Sequence, residues 1–216
     1  MSMQLDEFYR MVSPLSLTSR KRIEYLFGAM ERIRSTNIEG DLVECGVYRG
    51  GNILGMMEYC RSHAMQRDVF AYDTFTGMTP HGENDVSCTG GLPGQDTLCA
   101  CSLKEFSQNV ARSVEMDCVS LHVVCGDVAD TLNIEAHLPK SIALLRLDTD
   151  WYASTKKELE VLYPRVVPGG IVIVDDYGHW RGSKKAVDEF FHGVVHWTAI
   201  DYTGIAFQKP EVECTP

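Results

Sequence analysis

The sequence predicts an α/β fold in which helices cover both faces of a mostly parallel β-sheet. Residues 142–147 and 171–174 are nearly continuous apolar runs, the pattern of central strands that are buried on both faces. Between them, Leu159 and Leu162 fall on one face of a predicted helix, which gives a β-α-β unit. The crossover through this helix makes the two strands parallel, so both end at the same edge of the sheet. The chain has 216 residues, enough to bury a sizeable core, and we predict one domain spanning residues 1–216.

The composition narrows the kind of partner that the protein binds. Its formal net charge is −10, which argues against nucleic acid and against an anionic membrane, because both require a basic face. No apolar segment is long enough to span a bilayer, and the N-terminus shows no apolar signal core. Eight cysteines occur without a C-x-x-C pair, which favours reduced thiols and a cytoplasmic location.

Residues 1–40 are predicted to form an N-terminal helical segment. Thr18 is placed to cap a helix that ends near Arg34, and apolar residues recur along it at helical spacing. The sequence leaves open whether this helix packs over the sheet or forms a contact in a homo-oligomer.

A strand and a glycine-rich turn follow this segment. Residues 42–45 read LVEC, and Gly46, Gly50 and Gly51 come directly after, the order that begins a nucleotide-binding doubly wound fold. The spacing is not G-x-G-x-x-G, which disfavours NAD and therefore a nucleotide-dependent oxidoreductase. The next strand, VFAYD, ends in Asp73, where an acidic side chain is placed to accept hydrogen bonds from a ribose diol.

The middle of the chain contains a long loop. Residues 74–100 are rich in glycine, threonine and proline, and because so long a loop is usually functional or disordered, we predict a lid over the site. A third strand, 119–124, is followed by Gly126 and Asp127, and Asp127 is placed for an adenine amino group or for the nearby backbone. A helix over 183–191 and an antiparallel hairpin near the C-terminus complete the predicted fold.

Four aspartates follow the two central strands. Asp148 and Asp150 come after the first strand, and Asp175 and Asp176 come after the second. Because parallel strands end at one edge, these carboxylates would repel one another strongly without a cation among them. Hard oxygen donors suit Mg²⁺, Mn²⁺ or Ca²⁺, so the pattern predicts a metal site. The alternative is that the aspartates serve as helix caps.

Five stretches between about residues 41 and 191 carry a resemblance to a known family: VECGVYRGGN, FAYDTFTG, GDVADTL, LRLDTDWYAST and VPGGIVIVDDYGHW. The chain resembles the class I S-adenosylmethionine (SAM)-dependent methyltransferases and, among them, the macrocin O-methyltransferase family of macrolide and aminocoumarin pathways. The resemblance implies a Rossmann-like, seven-stranded, mostly parallel sheet with a C-terminal antiparallel hairpin.

The resemblance also implies roles for individual residues. Asp148, Asp175 and Asp176 would ligate Mg²⁺, with Mn²⁺ as a substitute. Asp150 would be the general base, with His179 as the alternative. The cofactor-binding residues that it implies lie in the glycine-rich turn and at the strand ends: Glu44, Gly46, Tyr48, Gly50, Asp73, Gly126, Asp127 and Asp148.

We therefore expect a metal-dependent O-methyltransferase that moves the methyl group of SAM to a hydroxyl of a sugar or a glycosylated small molecule. A neutral hydroxyl is a poor nucleophile near neutral pH, so this chemistry calls for a cation that lowers its pKa and a carboxylate that takes its proton. Two alternatives stay open: a methyltransferase of catechol-like phenols, and a SAM-binding protein without catalysis.

Overall fold

The structure is a computed structural model that describes residues 3–93, 99–114 and 118–211. In this part of the chain the strands are β1 (Asp41–Cys45), β2 (Arg67–Asp73), β3 (Val119–Cys125), β4 (Ile142–Leu147), β5 (Val166–Val174), β6 (Thr198–Ala199) and β7 (Ile205–Gln208). The helices are α1 (Leu5–Val12), α2 (Arg20–Ser35), α3 (Gly51–Ser62), α4 (Leu103–Val114), α5 (Val128–Thr131), α6 (Tyr152–Leu162) and α7 (Arg181–Phe191). None of these helices is both long and apolar enough to cross a membrane.

The strands form one sheet in the order β3-β2-β1-β4-β5-β7-β6. Strands β1 to β5 run parallel, whereas β7 is antiparallel to both β5 and β6. This arrangement confirms the predicted seven-stranded, mostly parallel sheet with a C-terminal antiparallel hairpin. The strand order reverses between β1 and β4, which is the position where open α/β sheets bind their ligands.

The register of the central strands brings their carboxyl ends together. Cys45 of β1 lies beside Tyr72 of β2 and Leu147 of β4, and Leu147 lies beside Val174 of β5. The residues that follow these positions, including the four aspartates, therefore meet at one edge of the sheet.

Two hydrophobic clusters cover the two faces of the sheet. Helices α1 to α4 contribute to one cluster, and α5, α6 and α7 contribute to the other. The first cluster contains Ile23, Leu26, Met30 and Ile33 of α2 together with strand residues, so α2 packs over the sheet. Burial of each such side chain contributes about 1.5–3 kcal/mol, which makes α2 an integral part of the fold.

Two local features differ from the sequence prediction. Ser19, not Thr18, caps α2, because the Ser19 hydroxyl accepts a backbone N–H of the first helical turn. Residues 168–170 read Pro-Gly-Gly, a composition that by itself predicts a turn, but they lie inside β5, where the pairing with β4 shifts its register. The predicted lid is irregular over residues 74–93, and residues 94–98 of that prediction lie outside the described residues.

Candidate active site

A cleft opens at the carboxyl edge of the parallel strands. Most of the predicted site residues line it: Glu44, Gly46, Tyr48, Asp73, Gly126, Asp127, Asp148, Asp150, Asp175 and Asp176. The segment before α2 and the start of that helix form another part of the wall, through Ser16, Leu17, Thr18 and Arg22. Sequence reasoning missed this contribution, because these residues carry no motif and reach the cleft only through the packing of α2.

The turn after β1 is held tightly against the end of β4. Gly46 has a φ of +82°, and a Cβ there would lie 2.0 Å from the carbonyl oxygen of Asp148, so only glycine fits. One carboxylate oxygen of Asp73 accepts the N–H groups of Val47 at 2.9 Å and Tyr48 at 3.0 Å. Burial raises the pKa of Asp73, whereas these hydrogen bonds act to lower it. Asp73 therefore shapes the turn, while its contact with ribose stays a prediction.

Two other predicted cofactor positions have different surroundings. Gly50 is not among the described residues that line the cleft, and a Cβ there would lie 2.8 Å from the ring of Phe106. The small size of Gly50 lets α3 pack against α4, and its role toward the cofactor stays a prediction. Asp127 does line the cleft beside Gly126, and its side chain caps α5 by accepting the N–H of Ala129 at 2.8 Å.

A buried arginine lies beneath the cleft. Arg146 is 1% exposed and belongs to the otherwise apolar strand β4. Its Nη1 donates to Glu44 and to Asp148, each at 2.7 Å, and its Nη2 donates to Asp175. Burial opposes the charge, but the carboxylates of Asp148 and Glu44 raise the pKa of Arg146. Sequence reasoning missed this residue; the available signal was a single charge inside the apolar run ALLRL.

Glu44 forms another part of this charged network. Its Oε1 accepts hydrogen bonds from Arg146 and, at 2.8 Å, from Asn52 of α3. Its Oε2 is buried and has no hydrogen-bond partner among the described residues. Burial raises the pKa of Glu44 to about 7, against the effects of Arg146 and Asn52. The second oxygen is thus an unused acceptor on a residue of the cleft wall.

Asp175 faces arginines rather than the other aspartates. Its carboxylate, 3% exposed, accepts hydrogen bonds from Arg146 and from Arg22 of α2. Arg22 also donates to Asp201 at 3.0 Å, so the guanidinium is anchored on two sides. Two arginines neutralise Asp175 in this structure, and its role as a metal ligand stays a prediction.

Three aspartates form a separate cluster. Asp148, Asp150 and Asp176 each offer an oxygen atom, and these atoms all lie within 4.8 Å of one another. The Oδ2 atom of Asp176 is buried and lacks a hydrogen-bond partner among the described residues. Burial and then repulsion by Asp150 and Asp148 raise the pKa of Asp176 well above its usual range. Burial also raises the pKa of Asp150 to about 6. A divalent cation would relieve this repulsion.

His179, the alternative base, has a different environment. Its ring centroid lies 4.7 Å from that of Trp180 and 6.0 Å from that of Tyr202. It is not among the described residues that line the cleft, whereas Asp150 is. The structure thus places the two predicted bases at different positions.

Comparison with known proteins decides the family. Residues 11–209 match the family described as macrocin-O-methyltransferase (TylF). The chain belongs to this family. Demethyldecarbamoylnovobiocin O-methyltransferase of Streptomyces niveus is 34% identical over 195 residues, which cover 88% of this chain and 73% of that protein.

Two further relatives agree with this assignment. A Streptomyces olivaceus enzyme named 8-demethyl-8-(2,3-dimethoxy-alpha-L-rhamnosyl)-tetracenomycin-C 4'-O-methyltransferase is 34% identical over 165 residues, 75% of this chain and 62% of that protein. The solved structure of the O-methyltransferase NovP has a TM-score of 0.79 at 32% identity, covering 91% of this chain and 82% of that chain. The family resemblance and the fold class are confirmed, and the reaction class is SAM-dependent O-methyl transfer.

Proposed function

We propose that this protein methylates a hydroxyl group of a sugar or a glycosylated small molecule, using SAM as the methyl donor and a divalent cation held by aspartates. The observation that carries the proposal is that Asp148, Asp150 and Asp176 cluster in the same cleft as the glycine-rich turn after β1. The rhamnosyl group in the name of one relative supports a sugar acceptor.

The cofactor is assigned to the part of the cleft formed by Glu44, the turn after β1 and Asp73. The unpartnered Oε2 of Glu44 is suited to accept a hydrogen bond from the ammonium group of the methionine part of SAM. Gly46 lines the cleft, and its lack of a side chain lets the turn lie against the backbone of Asp148. Asp127 and Gly126 are assigned to the adenine end.

The aspartate cluster fits a divalent cation by its donors and by its charge. Carboxylate oxygens are the donors that Mg²⁺ and Mn²⁺ prefer, and Asp176 has a buried oxygen without a hydrogen-bond partner among the described residues. We assign Asp148 and Asp176 to hold the ion. When bound, such a cation supplies positive charge that acidifies an acceptor hydroxyl.

We assign Asp150 to accept the proton of that hydroxyl. It lines the cleft and belongs to the same cluster as Asp148 and Asp176, so it would lie beside a hydroxyl that the cation acidifies. The deprotonated oxygen then attacks the methyl carbon of the sulfonium, the carbon–sulfur bond breaks, and S-adenosylhomocysteine leaves.

The test is transfer of labelled methyl from SAM to a panel of sugars, glycosides and catechols, with Mg²⁺, with Mn²⁺ and with EDTA. We expect methylated glycosides in the presence of either ion and loss of product in EDTA. Methylation of catechols alone would move the acceptor to the phenol class. Tight SAM binding without transfer to any acceptor would favour a non-catalytic protein, and full turnover in excess EDTA would contradict the metal assignment.

A further inference from the structure

A buried aspartate of the predicted lid reaches the start of helix α6. Asp85 is 2% exposed. Its Oδ1 accepts the backbone N–H of Tyr152 at 2.8 Å, and its Oδ2 accepts the backbone N–H of Gly82 at 2.7 Å. Tyr152 is the first residue of α6, two positions after Asp150. The lid is therefore hydrogen-bonded directly to the segment that carries the aspartate cluster.

Helix α6 depends on this contact for its cap. Trp151 occupies the N-cap position, and its side chain makes no capping hydrogen bond. Its indole N–H instead donates to the carbonyl of Thr79 at 2.9 Å, which is a second bond to the lid. Asp85 supplies the acceptor that the local sequence lacks, and a negative charge at a helix N-terminus is favoured by the helix dipole.

The start of α7 makes room for the same carboxylate. A Cβ at Gly182 would lie 1.8 Å from Oδ1 of Asp85, so any other residue there would displace the aspartate. The lid is also paired with this end of α7, because Ser87 and Trp180 form an antiparallel bridge and two further backbone hydrogen bonds flank it. Asp85 thus lies between the N-termini of α6 and α7, the helices that follow the two pairs of aspartates.

We propose that Asp85 is a positioning residue for the aspartate cluster, because by capping α6 it holds Asp150 beside Asp148 and Asp176. The proposal rests on the proposed function, in which this cluster binds a divalent cation. Asp150 has a φ of +67°, a backbone conformation that a non-glycine residue keeps only when its surroundings hold it. The bond from Asp85 to Tyr152 constrains the chain two residues later.

Two substitutions test this role from opposite sides. Asp85→Ala removes the carboxylate, and Gly182→Ala leaves the carboxylate in the chain but takes its space. We expect each to raise the dissociation constant for Mn²⁺ by about 10–100-fold, measured by electron paramagnetic resonance, while calorimetry shows unchanged affinity for S-adenosylhomocysteine. Glu83→Ala is the matched control, because Glu83 is an exposed residue of the same segment and its loss changes the net charge equally.

Kinetics separate positioning from a purely structural role. In Asp85→Ala, saturating Mg²⁺ should restore most of the turnover, since the ligands are present and only their arrangement is weakened. If the substitution only reduced the folded fraction of the protein, the rate would depend on the Mg²⁺ concentration as in the wild type, with a lower maximum rate. Should Asp85→Ala fail to fold, Gly182→Ala carries the test, and Asp85→Asn, which keeps an acceptor for the N–H of Tyr152, should bind Mn²⁺ as the wild type does.

Mn²⁺ affinity in folded Asp85→Ala equal to that of the wild type would overturn the proposal. Binding of no Mn²⁺ by the wild type would instead reject the proposed metal site. Amide hydrogen exchange, measured in the absence of metal, then tests whether Asp85 orders the start of α6. Faster exchange at Tyr152 and its neighbours, with the rest of the protein unchanged, supports it, and wild-type exchange there refutes it.

Discussion

Asp175 and Asp176 are consecutive in the chain, yet their carboxylates have opposite surroundings. Asp175 is paired with two arginines, whereas Asp176 lies in a cluster of like charges and has an oxygen without a hydrogen-bond partner among the described residues. Asp175 and Asp176 lie in the bend directly after β5, where their side chains reach different sites. We assign Asp176 to the ion and expect Asp175 to neutralise the two arginines.

The two residues should therefore respond differently to the same substitution. Asp175→Asn should lower the free energy of unfolding by about 3–5 kcal/mol, because the charges of Arg146 and Arg22 lose their buried partner. Asp176→Asn should leave that free energy unchanged or raise it in EDTA, because it removes repulsion, but should abolish Mn²⁺ binding. Urea unfolding and Mn²⁺ titration of both variants measure the contrast. Loss of Mn²⁺ binding in a folded Asp175→Asn variant would show that Asp175 is also a metal ligand.

The turn after β1 gives a second prediction. Asp73→Ala should weaken binding of S-adenosylhomocysteine by about 1–3 kcal/mol, because the buried N–H groups of Val47 and Tyr48 lose their acceptor and the turn loosens. Calorimetry measures the affinity directly. Asp127 follows β3 and lines the same cleft. The affinity of Asp127→Ala for S-adenosylhomocysteine tests the assignment of Asp127 to the adenine end of the cofactor. Unchanged affinity in Asp73→Ala would remove Asp73 from the cofactor site.

The identity of the base gives a third prediction. Asp150→Asn should slow the chemical step by about 10²–10⁴-fold, because the hydroxyl loses its proton acceptor. His179→Ala should have a smaller effect, because His179 is not among the described residues that line the cleft. Single-turnover rates at saturating SAM and metal rank the two variants. The opposite order would make His179 the base and leave Asp150 a supporting role.

A buried carboxyl behind the cleft gives a prediction about pH. Glu158 of α6 is fully buried and accepts a hydrogen bond from the hydroxyl of Thr149 at 2.9 Å. Burial raises the pKa of Glu158 to about 8. The folded protein thus keeps a proton that the unfolded chain releases at lower pH, so this residue lowers stability progressively as pH rises from about 4.5 to about 8.

Glu158→Gln should remove that dependence. Below about pH 4.5 the variant and the wild type should differ little, and near pH 8 the variant should be more stable by roughly 2–4 kcal/mol. Urea unfolding in EDTA across this range measures the difference. Glu160→Gln is the control, because Glu160 lies on the exposed face of the same helix. A constant difference between Glu158→Gln and the wild type at every pH would show that folding does not raise the pKa of Glu158.

The fold and the location of the site were predictable from the sequence. Apolar runs of strand length can be stable only when covered on both faces, and parallel strands joined by helices must end at one edge. Those two constraints place the glycine turn, Asp73 and the four aspartates together without any knowledge of side-chain contacts. The motifs at the same positions also identified the family, which the comparisons confirm.

Which carboxylates share a partner was decided by the tertiary structure. Arg22 is 153 residues from Asp175 in the chain, and Asp85 is 67 residues from Tyr152. Such pairs depend on how α2 and the lid pack against the sheet edge, and no local pattern encodes that packing. The sequence alone therefore determined that carboxylates gather at this edge, and the packing of distant segments determined that arginines hold Asp175 while Asp176 joins the cluster.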